Sequence, residues 1–131
     1  MSSLLVNSGN AAVIVLANAI VSKMFMTLFF RFKMVMSDKV GKKNLLESAE
    51  FKNAHAAQLN DAEYSPIFIV CLLYLHSHGV AAPTASTLAA FGCVAYVWGK
   101  IYLPFPSQSV GAAARYVSLC MLCWDIYKTV A

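Results

Sequence analysis

The chain has 131 residues, of which 60% are hydrophobic and only 12% are charged, with a formal net charge of +4. An average soluble domain is about half apolar and about a quarter charged, so this composition predicts a single integral membrane domain covering residues 1–131. The small positive charge does not indicate nucleic-acid binding, because no basic patch with interleaved aromatic residues accompanies it.

Four apolar stretches are long enough to cross a bilayer, which requires about 20 mainly apolar residues. The N-terminus lacks the positively charged region of a cleavable signal, so the first stretch is expected to remain as a span. Gly79 and Pro83 separate the second and third stretches, and a polar loop is expected over Met36–Phe51. The sequence therefore predicts an antiparallel four-helix transmembrane bundle with spans at Ala11–Phe32, Ala56–His76, Ala85–Leu103 and Val110–Tyr127.

The distribution of lysine and arginine predicts the orientation of these spans. The third loop is flanked by Lys100 and Arg115, whereas the N-terminal tail and the second loop carry no basic residue. Loops one and three are therefore expected in the cytosol, with both termini on the other side. The basic residues in and around the first loop are Arg31, Lys33, Lys39, Lys42, Lys43 and Lys52.

Polar residues in the spans gather towards the cytosolic side. At about 1.5 Å of rise per residue, Lys23 lies about 15 Å below that boundary and Glu63 lies at a similar depth. Ionisable groups at such a depth are costly and indicate a function or a partner. We therefore expect Lys23 and Glu63 to form an ion pair.

The second span carries the most informative polar group. Asn60, Glu63 and Tyr64 have i, i+3, i+4 spacing and share one helix face, and Pro66 is expected to bend the helix behind them. Such a face suits a cavity open to the cytosol. The alternative is that these residues only join helices through hydrogen bonds.

The same residues resemble a known family. The segment LNDAEYSPIF, Leu59–Phe68, is similar to the second-helix signature of the MAPEG proteins, which are membrane-associated proteins in eicosanoid and glutathione metabolism. The resemblance covers nearly the whole chain through four weaker matches: SKM at Ser22–Met24, RFK at Arg31–Lys33, GxxxY at Gly92–Tyr96 and PFP at Pro104–Pro106.

The resemblance implies a four-helix protomer that assembles as a trimer in the endoplasmic reticulum or another organelle membrane. Glutathione would bind between protomers, and members conjugate it to lipophilic electrophiles, reduce lipid peroxides or isomerise lipid endoperoxides. The family's glutathione-binding Asn and Glu correspond to Asn60 and Glu63. The aromatic residue beside them, the first-helix Arg and a third-helix aromatic position correspond to Tyr64, Arg31 and Tyr96.

The residue types fit this chemistry. The two carboxylates of glutathione require cations, for which Arg31, Lys100 and Arg115 are available, and Glu63 suits its α-amino group. The thiol must become a thiolate to attack, and Arg31 and Arg115 are the candidates that stabilise that charge.

The sequence departs from the family pattern at four positions, which leaves three functions open. Ala56 stands where the family carries an Arg, with His55 and Gln58 nearby as partial substitutes; the other three positions are Cys93, Lys100 and Gln108 or Ser109. The chain is a glutathione-dependent transferase or peroxidase, a non-catalytic lipid-binding or scaffold member, or a structural subunit of a larger membrane complex.

Smaller signals receive ordinary interpretations. No metal site is predicted, because His76 and His78 lie two residues apart and do not share a helix face, and the sequence offers no evident third ligand. The cysteines at positions 71, 93, 120 and 123 lie in apolar runs and are expected to pack as small hydrophobic residues. Asp125 and Lys128 are expected to form an interfacial ion pair.

Overall fold

The computed structural model describes residues 6–30, 49–102 and 107–130. These residues form four helices and no strand, which confirms the all-α prediction. Helix α1 covers Ser8–Met24 and continues as a π-helical segment, Phe25–Phe30; α2 covers Ala49–Ser77, α3 covers Pro83–Tyr102 and α4 covers Ser107–Val130.

Neighbouring helices run in alternating directions. Asn18 of α1 contacts Asp61 of α2, while the start of α1 lies against the end of α2, where Gly9 meets His76. In the same way, Gly92 and Tyr96 of α3 meet Arg115 and Gly111 of α4 in reverse order. The bundle therefore has the up-down-up-down order that the sequence predicts.

Local signals explain the helix ends at the turn between α2 and α3. Gly79 has a φ of +73°, the left-handed conformation that commonly ends a helix, and Pro83 opens α3, where its missing N–H costs no hydrogen bond. The first turn of α1 is hydrogen-bonded to this α2–α3 turn, since the Ser8 amide donates to Ala81 O at 2.8 Å. Asn7 caps α1, since its side-chain Oδ1 accepts a hydrogen bond from the Asn10 amide at 2.8 Å.

Helix α2 begins earlier than predicted. The expected loop reached Phe51, but the helix starts at Ala49 and continues through Pro66 to Ser77. The loop boundary was wrong because it followed polarity, whereas Ala, Glu, Lys and Gln are strong helix formers whether or not they are buried. The polar and apolar halves of this stretch are one continuous element.

Small side chains let the helices approach closely. A Cβ atom on Gly111 would lie 2.5 Å from the Tyr96 amide nitrogen, and one on Gly92 would lie 2.8 Å from the Arg115 amide nitrogen. Small residues at helix interfaces are typical of membrane bundles. The buried hydrophobic core is rich in alanine and consists of Ala11, Ala12, Val15, Phe68, Leu72, Leu75, Ala85, Ala89, Ala90, Cys93 and Leu122.

Large apolar side chains cover the outside of the bundle, including Leu28, Val70, Phe91, Val117 and Trp124. Among the described helices, the one that covers Ser8–Leu28 is long and apolar enough to cross a membrane. Helices α2, α3 and α4 have 29, 20 and 24 residues, which is sufficient length, but their polar residues lower their hydropathy. Their predicted membrane crossing stays a prediction.

Candidate functional site

The centre of the site is Arg115 on α4. Its side chain is fully buried, with 1% of its surface exposed. Its Nη2 donates a hydrogen bond of 2.6 Å to Asn60 Oδ1 of α2. The guanidinium carbon lies 4.4 Å from the centroid of the Tyr64 ring and 3.9 Å from that of the Tyr96 ring. Three helices thus hold one guanidinium group by a hydrogen bond and two aromatic rings.

The helical register explains this convergence. Asn60 and Tyr64 are four residues apart on α2 and therefore project from one face. Tyr96 faces them from α3, at the point where Gly111 brings α4 closest. Gly92 leaves room for the arginine itself, since a Cβ atom there would lie 2.8 Å from Arg115 Cγ.

The guanidinium has unused hydrogen-bonding capacity. Its Nε and Nη1 atoms are buried and make no hydrogen bond within the described part of the chain. The Asp61 carboxylate lies near enough to attract the guanidinium electrostatically, although no direct ion pair joins them. A buried cation is costly unless charge and hydrogen bonds compensate it. The two free donor atoms of Arg115, Nε and Nη1, are therefore suited to bind an anionic group.

Asp61 belongs to a second buried network that the sequence analysis missed. Asn18 Nδ2 donates to Asp61 Oδ1 at 3.4 Å and to Cys93 O at 3.2 Å, and Asn18 Oδ1 accepts from Trp98 Nε1 at 2.8 Å. The Ser65 hydroxyl lies beside the carboxylate without the alignment of a hydrogen bond. The available signal was an ionisable residue within a predicted span.

The structure places the predicted site residues in different environments. Asn60, Tyr64, Tyr96 and Arg115 come together, and Lys100 lies beside them with its Nζ 5.7 Å from the centre of the Tyr96 ring. The remaining predicted residues lie elsewhere: Glu63 and His55 are exposed, Gln58 lines a groove between α1 and α2, and Arg31 lies outside the described residues.

The predicted ion pair between Lys23 and Glu63 is wrong within one chain. Both side chains are exposed, and the ion pair found among the described residues joins Lys128 Nζ to Asp125 Oδ1 at 3.4 Å. It is Asp61 that faces α1, and Glu63 follows two residues later, about 200° further around the helix. Similar depth did not bring the two charges to the same side.

The smaller predictions have mixed outcomes. The Asp125–Lys128 pair is confirmed. Cys93 is buried and Cys71 is half-buried, whereas Cys120 and Cys123 are exposed. The prediction that the cysteines pack as small hydrophobic residues therefore holds for the first two only. The His78 ring stacks on Tyr74 with 4.2 Å between centroids, and no group of three metal-binding side chains occurs among the described residues.

Fold and site together define a class of protein: a small antiparallel four-helix bundle with an apolar exterior and a buried polar site near the end where α1 and α3 finish. The sequence model of the MAPEG family matches residues 10–127, nearly the whole chain, and the chain belongs to that family. The family is membrane-associated, and its members commonly use glutathione.

A search of curated proteins and a search of solved structures each gave no match. The family assignment therefore comes without a particular relative whose activity could be compared. It is consistent with glutathione-related or lipid metabolism as the general field of function.

Proposed function

We propose that this protein binds glutathione at the Arg115 site and conjugates it, through its thiolate sulfur, to lipophilic electrophiles or uses it to reduce lipid peroxides. In this proposal the protein works as a trimer in an organelle membrane. The observation that carries the proposal is the buried guanidinium of Arg115, which keeps Nε and Nη1 as unused donors close to the rings of Tyr64 and Tyr96.

The donor set fits a tripeptide thiol. A planar guanidinium binds carboxylates through paired N–H groups and also stabilises a thiolate. Lys100, beside the Tyr96 ring, supplies a second cation for the other carboxylate. The exposed carboxylate of Glu63 suits the α-amino group. Ala56 lacks the basic side chain usual at its position, and Arg115 supplies a cation to the adjoining face of α2 in its place.

Ligand entry requires a side chain to move, because Arg115 is enclosed. Tyr116 lies on the outer side of the site, half exposed, with its ring 6.2 Å from that of Tyr64. Exposed aromatic rings change rotamer rapidly. Rotation of Tyr116 and Tyr64 would open Arg115 towards the space between protomers, from which a lipid substrate could also enter.

A second candidate, a non-catalytic lipid-binding or scaffold protein, is favoured by a different observation. Arg115 already occupies the Oδ1 atom of Asn60 at 2.6 Å, and its guanidinium carbon lies 4.4 and 3.9 Å from the centroids of the Tyr64 and Tyr96 rings. The same contacts would make Arg115 a structural link between α2, α3 and α4. In that case the site is closed permanently and glutathione does not bind.

Calorimetric titration of the purified full chain with glutathione separates the two candidates. The enzyme hypothesis expects binding, and conjugation to a generic aromatic electrophile. Arg115→Lys should weaken binding about tenfold, or 1.4 kcal/mol, because the amine cannot reproduce the planar contacts of the guanidinium. Asn60→Ala and Glu63→Ala should also weaken it.

Lys128→Ala is the matched control, since it removes a cation from the far end of α4 and should leave binding unchanged. Absence of glutathione binding by the folded wild-type protein, with lipid retained after purification, would favour the second candidate.

A further inference from the structure

Two cysteines from different helices lie near each other on the outside of the bundle. Cys71 of α2 is half-buried and Cys123 of α4 is exposed, and both carry free thiols. Cys123 lies close enough to Cys71 to act on it electrostatically. Neither belongs to the Arg115 site or to the network of Asn18 and Asp61, so the proposed function leaves both thiols without a role.

The helical register places these two thiols opposite each other. The ring centroids of Tyr64 and Tyr116 lie 6.2 Å apart across α2 and α4. Cys71 follows Tyr64 by seven residues, and Cys123 follows Tyr116 by seven. Seven residues make nearly two turns, or about 10.5 Å along the axis, and α2 and α4 run in the same direction. Each cysteine therefore repeats the position of its tyrosine two turns further on.

Packing holds α2 and α4 together at the level of the two thiols. Leu72 and Leu122 each adjoin one of these cysteines in the sequence, and both are fully buried in one hydrophobic cluster. Cys71 packs against the same cluster. The backbones that carry the two thiols are therefore fixed relative to each other by a shared core contact.

We infer that Cys71 and Cys123 form a redox-active dithiol, which a lipid hydroperoxide oxidises to a disulfide between α2 and α4. The inference rests on the proposed function only for the choice of oxidant, because lipid peroxides are substrates in its peroxidase branch. Oxidation of a thiol depends on its exposure as well as on its thiolate character. Cys123 is the more exposed of the two and is therefore the thiol that a peroxide dissolved in the membrane meets first.

The reaction balances without glutathione. Cys123 Sγ attacks the terminal oxygen of the hydroperoxide, the O–O bond breaks, and the thiol proton passes to the departing alkoxide, which becomes a lipid alcohol. Cys71 Sγ then attacks the sulfenic acid formed on Cys123, and the hydroxyl group leaves with the Cys71 proton as water. The two thiols together lose two electrons, and the peroxide gains them.

A single-turnover experiment on the purified full chain tests the dithiol. The protein is reduced, freed of reductant, placed in lipid nanodiscs and mixed with linoleic acid hydroperoxide in the absence of glutathione. We expect one hydroxy acid per chain, the loss of two free thiols, and a peptide map in which residues 71 and 123 are linked. Cys123→Ser should slow formation of the alcohol about tenfold, whereas Cys71→Ser should stop at a sulfenic acid that dimedone traps.

Cys120→Ser is the matched control, because Cys120 is also exposed on α4. It precedes Cys123 by three residues and lies about 60° away around the helix. In the register of the tyrosine pair its counterpart on α2 is Phe68, which is fully buried. This variant should form the alcohol and the disulfide as the wild type does.

Three results with the wild type would each overturn the inference: four free thiols after the reaction, a link between Cys120 and Cys123, or a disulfide that joins two chains. These results do not depend on whether a variant folds. Unchanged rates in Cys71→Ser and Cys123→Ser, with native helix content by circular dichroism, would contradict it as well. Glutathione titration of the wild type judges the Arg115 site separately, since the dithiol reaction is measured without glutathione.

Discussion

At the scale of single residues, Arg115 shows how a buried charge can join three helices. The guanidinium donates one short hydrogen bond to Asn60 Oδ1 and lies over the rings of Tyr64 and Tyr96. Cation–π contacts are worth roughly 0.5–2 kcal/mol each and more when water is excluded. The residue therefore contributes to stability and at the same time keeps two donors for a ligand.

Asn18 has a comparable role on the other side of α2. Its amide group joins Asp61, the Cys93 carbonyl and the Trp98 indole, so three elements depend on one small side chain. Replacing it with an apolar residue of similar size leaves each of these groups without its partner. The penalty for an unpaired buried polar group, not the loss of packing, should dominate.

Asn18→Leu is therefore expected to destabilise the bundle by about 2–3 kcal/mol. Thermal unfolding in detergent, followed by circular dichroism, measures this change. Trp98 fluorescence, recorded in a Trp124→Phe background, should shift as the indole N–H loses its acceptor. Asn10→Leu, at an exposed position on the same helix, is the control, and an equal loss there would show that the network contributes little.

At the scale of elements, α2 presents a different chemistry on each side. Asp61 and Ser65 face α1, Asn60 and Tyr64 face α4, and Glu63 points outwards. The i, i+4 spacing was enough to group Asn60 with Tyr64. It could not show that Glu63, only 60° away around the helix, lies beyond the edge of the buried face, because that edge depends on where the neighbouring helices lie.

The contact between α3 and α4 depends on Gly111. Glycine in the middle of a helix usually costs up to about 1 kcal/mol relative to alanine, so Gly111→Ala would stabilise an isolated α4. In the bundle the added methyl would meet the Tyr96 backbone at 2.5 Å and force the helices apart. We expect a net destabilisation of about 1–3 kcal/mol and a displaced Tyr96.

Chemical or thermal unfolding of Gly111→Ala, together with glutathione titration, checks this expectation. Ala113→Val, on the exposed side of the same turn, is the comparison and should change neither quantity. A more stable Gly111→Ala protein would mean that α3 and α4 are further apart than this structure has them.

At the scale of the whole molecule, the predicted orientation can be tested directly. In a background without the four native cysteines, Ser37→Cys should react with a membrane-impermeant maleimide added to the cytosolic face of sealed microsomes. Ala81→Cys, in the turn between α2 and α3, should react only after permeabilisation. The physical reason is the concentration of lysine and arginine around the first loop.

The reverse labelling pattern would show that the protein has the opposite orientation in its membrane. Labelling of both positions from outside would contradict the crossing of α2. The experiment therefore also tests whether α2 spans the bilayer.

Number, order and approximate limits of the helices follow from local properties of the chain. Apolar runs of sufficient length, Gly79 and Pro83 at a turn, and the spacing of Asn60 and Tyr64 are features of neighbouring residues, so they can be recognised without knowledge of the fold. The family signature belongs to the same category, and the match over residues 10–127 includes all the motifs that the sequence analysis identified.

The rotation of each helix about its own axis could not be predicted in this way, because it depends on contacts between residues far apart in the chain. Two such contacts, Gly111 with Tyr96 and Asn18 with Asp61, determine which polar side chains face inwards. For this reason the Arg115 side chain lies in the buried cluster, whereas the Glu63 side chain is exposed. A pattern along the sequence gives the depth of a side chain in the bundle, whereas its direction depends on the packing of the other helices.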